Sequence, residues 1–67
     1  MSVNIGKSTR LCLAEVNEGT GWLSKQMGIS RTYASSIANS ELVMLHQVVK
    51  LAKVFNMPVS DFIKLGE

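Results

Sequence analysis

Cysteine, proline, histidine and tryptophan each occur once in the 67 residues. A single thiol, Cys12, forms no internal disulfide, so the chain has to hold together without covalent staples. One cysteine and one histidine, distant in sequence, cannot supply a four-ligand zinc site. Cys12 and His46 lack any motif that would orient them as nucleophile and base; a buried thiol and a solvated imidazole are the simpler expectation. Long hydrophobic runs are missing too. The longest, Leu11–Ala14 and Leu42–Leu45, are four residues each, against about 20 needed to cross a bilayer. No apolar stretch of signal-peptide length follows Met1, so no membrane partner and a cytoplasmic location are expected.

What is present is apolar and weakly charged. Hydrophobic residues make up 46% and charged residues 18%, a balance that disfavours disorder. Seven Lys and Arg against five Asp and Glu give a net charge of +2. That is compatible with a polyanionic partner without requiring one. A chain this short buries only about 60% of its unfolded surface, so residues 1–67 are expected to form one domain with a thin core. Such a size suits a binding module better than an enzyme with an enclosed pocket. Two glycine near-matches fail as nucleotide motifs. For Gly6-Lys7-Ser8 the leading glycine would fall at Met1, and Gly19-Thr20-Gly21 has Ser24 where a third glycine belongs. No cofactor, metal or small-molecule ligand is expected, and no enzymatic activity.

Apolar spacing is helical throughout. Ile5, Thr9, Cys12 and Val16 share one face of a first helix of about 7–16, with Asn17 suited to a left-handed terminus. A second helix of about 20–27 has Leu23 and Met27 inward with small Ser24 beside them, and Trp22 turned away from them. Trp22 is expected to pack on an N-terminal arm (Val3, Ile5) or a partner subunit. Gly28 allows a sharp turn, Ile29 plugs it into the core, and Ser30 can cap a third helix of about 31–39. A fourth, about 45–55, is expected to bury Leu45, Val48, Val49, Ala52 and Phe55, and to end at Asn56. Pro58 opens a short fifth helix with Val59, Phe62 and Ile63 inward. The expected class is all-α, with five short helices.

The third helix is the informative one. At 100° per residue, Arg31, Thr32, Ser35, Ser36 and Asn39 fall within an arc of about 140°, while Tyr33, Ala34, Ile37 and Ala38 take the inward arc. The polar arc contains no acid, although a solvated face usually mixes Glu with Lys. Serine, threonine and asparagine are mediocre helix formers. Their presence trades propensity for short hydrogen-bonding groups that let a helix approach a surface closely. Arginine adds a bidentate donor suited to guanine O6 and N7.

Residues 20–39 resemble the helix-turn-helix of the Cro/CI-type phage repressor family, seen also in restriction-modification controllers, plasmid regulators and antitoxins. Leu23, Ser24, Gly28, Ile29, Ala34 and Ile37 stand at its apolar, small and turn positions. The string Gly28-Ile29-Ser30-Arg31-Thr32-Tyr33 is close to the family's Gly-Ile-Ser-Arg-x-Tyr. Resemblance continues into residues 51–57 and Asp61-Phe62-Ile63. It implies a lambda-repressor-like DNA-binding domain, a double-stranded DNA operator as partner and a transcriptional regulator, most simply a repressor. Carried over, the family's roles make Arg31, Thr32, Ser36 and Ser35 base-reading. Thr20, Ser30, Asn39, Tyr33, Lys7 and Arg10 become phosphate contacts.

The chain also departs from the family. Thr20 replaces a common glutamine, Ser40 a usual glycine, and Leu42-Val43-Met44 stand where Lys or Arg, Pro and Ser are frequent. The last change removes phosphate-clamping charge. Surplus apolar residues, Leu42, Val43, Met44, Val54 and Leu65, are expected to form a homodimer interface, which implies a palindromic operator. The competing expectation is a helical protein-interaction module, such as an antitoxin or accessory subunit. The apolar 42–44 connection and Trp22 favour that alternative, and the acid-free arc disfavours it.

Overall fold

Asn4, not Lys7, starts the first helix: its side chain accepts from the Lys7 N–H at 3.0 Å, and α1 runs Ile5–Glu15. The computed structural model describes residues 3–67, so the first two positions of the expected 1–67 domain lie outside the described residues. Four further helices follow, α2 Thr20–Met27, α3 Arg31–Ala38, α4 Leu45–Val54 and α5 Val59–Lys64, with no strand among the described residues. The chain is all-α, in five short helices.

Helix ends follow local chemistry. Asn17 and Asn56 both adopt φ 56° after α1 and α4, the left-handed conformation that asparagine tolerates better than most residues. Gly28 does the same after α2, at φ 67°. Ser30 is extended and accepts the Tyr33 N–H at 3.1 Å, capping α3. Pro58 sits at the N-cap of α5, one residue ahead of the helix.

The core is small and drawn from every helix. Leu23, Ala34, Leu51 and Phe62 are fully buried, joined by Ile5, Cys12, Leu13, Ile37, Val48 and Ala52. Full burial of a large apolar side chain contributes about 1.5–3 kcal/mol. Trp22 and Phe55 add a partly buried aromatic layer, rings 6.0 Å apart, and Phe55 stacks in turn near Phe62 at 6.3 Å. Trp22 therefore packs on the end of α4, where an N-terminal arm or a partner subunit was expected.

Several inward assignments fail at helix ends. Val16 is 44% exposed because α1 stops one residue before it. Leu45, at the first position of α4, is 72% exposed, and Leu51 and Gln47 are buried instead. Val49 and Phe55 are only partly buried. Tyr33 leaves the inward arc: its ring is exposed while its hydroxyl accepts from Gln47 Nε2 at 3.1 Å. No helix among the described residues is long and apolar enough to cross a membrane.

Candidate nucleic-acid interface

Helix α3 is held by its back. Ala34, Ile37 and Ala38 are buried, and two of the three are alanines, so the helix lies close against α2 and α1. Its C-terminal end is clamped by α1. The Gly6 N–H donates to the Ser40 carbonyl at 2.7 Å, the Ile5 N–H to the Glu41 carbonyl at 2.9 Å, and Arg10 Nη1 to the Ala38 carbonyl at 2.6 Å. The Arg10 bond satisfies a carbonyl of the last turn of α3, and the other two satisfy first-turn N–H groups of α1 that have no partner within their own helix. Gly6 is required by the close approach: a Cβ there would lie 2.6 Å from the Ser40 carbonyl oxygen.

With its back fixed, α3 turns Arg31, Thr32, Ser35, Ser36 and Asn39 outward together, all exposed. The structure thus brings the four expected base-reading residues onto one solvent-facing side, with Asn39 at its end. Asn39 Nδ2 donates to the Ser35 carbonyl at 2.8 Å, leaving Oδ1 and a second N–H outward-capable. Ser40 Oγ donates to the Ser36 carbonyl at 2.6 Å. The Ser30 oxygen accepts from backbone, yet its own hydroxyl hydrogen remains a donor. Capping and an external contact are therefore compatible at Ser30.

Arg31 reaches back toward α2. A Cβ on Gly21 would sit 3.4 Å from its Nε, so the guanidinium lies beside the first turn of that helix, next to Thr20. This turn has Gly19 as N-cap and no side-chain cap. The Arg31 guanidinium thus lies beside the uncapped start of α2, whose leading N–H groups have no side-chain partner, and both are donors suited to anionic oxygens.

The other expected contacts separate. Lys7 is exposed, and its Nζ donates to the Glu67 carbonyl at 3.4 Å, beside the chain's far end. Arg10 spends one guanidinium nitrogen on α3 itself. Sequence reasoning missed Gln47, which is buried with Nε2 on the Tyr33 hydroxyl and Oε1 lacking a partner among the described residues. Its position between Leu45 and Val48 gave no hydropathy signal for burial.

The five residues expected at a dimer interface do not form one patch. Val43 and Val54 are partly buried and packed against the core. Leu42 and Met44 are 84% and 67% exposed, beside α3. Leu65 instead borders a largely apolar groove of about 400 Å³, shared with Leu11, Val16, Phe55 and Met57. No cluster of three or more potential metal ligands occurs among the described residues. Comparison with protein families, curated proteins and solved structures finds no match for the chain.

Proposed function

We propose that the chain is a sequence-specific double-stranded DNA-binding regulator of helix-turn-helix type, acting as a repressor by occupying a palindromic operator as a homodimer. The observation that carries this reading is the outward face of α3: five hydrogen-bonding residues, none acidic, on a helix anchored entirely from behind. Short hydroxyl and amide side chains allow the helix to sit deep in a major groove, and Arg31 supplies the donor pair that guanine accepts. Thr20 and the uncapped start of α2 would meet the phosphates flanking that groove, and Ser30 and Asn39 would bracket α3 with further backbone contacts.

The test is a selection of bound duplexes from a random pool, followed by gel shifts with the enriched sequence. Arg31→Ala should weaken binding to that duplex by about 1–3 kcal/mol and relax base preference at one position. If Arg31→Ala bound both the enriched and a scrambled duplex with wild-type affinity, Arg31 would leave the reading set.

A second reading has its own observation. Leu42 and Met44 on the connection after α3, and Leu45 at the first position of α4, are 84%, 67% and 72% exposed. Exposed apolar groups of this kind often mark protein contacts. A helical interaction module, such as an antitoxin or accessory subunit, would use them against a protein partner.

A further inference from the structure

Between α3 and the connection that follows it lies an open cleft of about 150 Å³. Its lining joins the hydroxyl-bearing Tyr33, Ser36 and Ser40 to the apolar Ile37, Leu42, Val43 and Met44. The larger groove near Leu65 is different, being lined almost wholly by apolar side chains, as the centre of a protein–protein contact is. The smaller cleft calls for an occupant that places a hydrogen-bonding atom directly beside an apolar group. It is also continuous with the outward face of α3, because Ser36 belongs to both.

Resting on the DNA-binding reading above, we infer that this cleft receives the major-groove edge of thymine, with Leu42 and Met44 as specificity-determining residues. Thymine presents the O4 acceptor next to the C5 methyl group, and it is the only DNA base with that methyl. The Ser36 hydroxyl rotates to donate to O4, while Leu42 and Met44 cover the methyl. The apolar connection, which lacks cationic clamps, acquires a role in this arrangement. It exchanges sequence-independent attraction to phosphate for discrimination of one base. Cytosine, with an amino donor and no methyl, would leave Leu42 and Met44 uncovered.

Replacing thymine by deoxyuracil removes the methyl and keeps O4, so it isolates the proposed contact. On the enriched duplex, each thymine is replaced in turn and affinities are measured for the wild-type chain, Leu42→Ala and Met44→Ala. The wild-type chain should lose about fourfold in affinity at one thymine per half-site, the equivalent of one buried methyl group. Leu42→Ala and Met44→Ala should each bind the thymine duplex more weakly and show a smaller further loss with uracil, since the other side chain still covers part of the methyl. Leu42 is so exposed that its truncation should leave helicity and thermal unfolding unchanged, which circular dichroism checks. Specific binding with no sensitive thymine, or a uracil effect that persists undiminished in both variants, overturns this inference and leaves the DNA-binding reading standing. A change in self-association of Leu42→Ala, with every uracil effect intact, assigns the segment to a protein contact and overturns it too. Failure to enrich any duplex removes both.

Discussion

Cys12 shows how one side chain's chemistry follows from where the fold puts it. Burial pushes its thiol pKa up, and the negative charge of Glu15 one turn away adds to the shift. A raised folded-state pKa means the native chain holds its proton where the unfolded chain has lost it. Stability is then complete below the ordinary thiol range of about 8.5 and declines as pH rises beyond it. Alkylation of the native chain at pH 8 should therefore run well below the rate of the same thiol in urea. Equal rates would show Cys12 to be open to solvent. Gln47 is the converse case: a polar residue drawn inside by the Tyr33 hydroxyl. Its burial was illegible because nothing in sequence links residues 33 and 47.

At the scale of single elements, α2 and α3 were readable almost to the residue. Their boundaries are written in local chemistry: Gly19 before, Gly28 at positive φ between them, Ser30 as cap. The outward face of α3 was legible for the same reason, since its period needs no tertiary information. Helix α4 was harder, because Leu42–Leu45 is an apolar run whose last member looks like core. The helix starts at Leu45 and that residue stands outside the core, so hydropathy alone misassigned the first turn. The clamp between α1 and α3 was invisible for another reason. It joins backbone atoms of residues 5 and 6 to those of 40 and 41, and backbone groups carry no sequence signature. Gly6→Ala would force Cβ against two carbonyl oxygens, at 2.6 and 2.8 Å. Overpacking of this kind typically costs about 1–3 kcal/mol. Urea denaturation should show that loss, and on the proposed reading affinity for the enriched duplex should fall as well. An unchanged midpoint would mean the clamp yields freely.

At the scale of the whole fold, the described residues measure 30 × 19 × 19 Å. One copy is too short to place recognition elements in two successive major grooves, whose centres lie about 34 Å apart. Two copies related by a two-fold axis span that distance, which is why the proposed operator is palindromic. The division of apolar surface between the 42–45 connection and the groove at Leu65 gives a dimer two faces to choose from. Sedimentation at micromolar concentration should show two chains of 7.3 kDa bound per enriched duplex, and truncating the apolar side chains of one of the two faces should reduce that to one. A strictly monomeric complex would remove the dimer while leaving the reading face untouched. On the proposed DNA-binding reading, a net charge of only +2 makes specificity lean on the fit of α3 more than on bulk attraction to phosphate.

The central proposition is that the hydroxyl- and amide-bearing side of α3 meets a duplex. Backbone amide shifts of the labelled chain, followed during titration with the enriched duplex, test it most directly. The expected perturbations cluster at Thr20, Gly21 and Ser30–Asn39 and extend to Leu42 and Met44 if they cover a thymine, with Leu11, Val16 and Leu65 unmoved by DNA itself. Perturbations confined to the groove at Leu11 and Leu65, or none at low ionic strength, would contradict it.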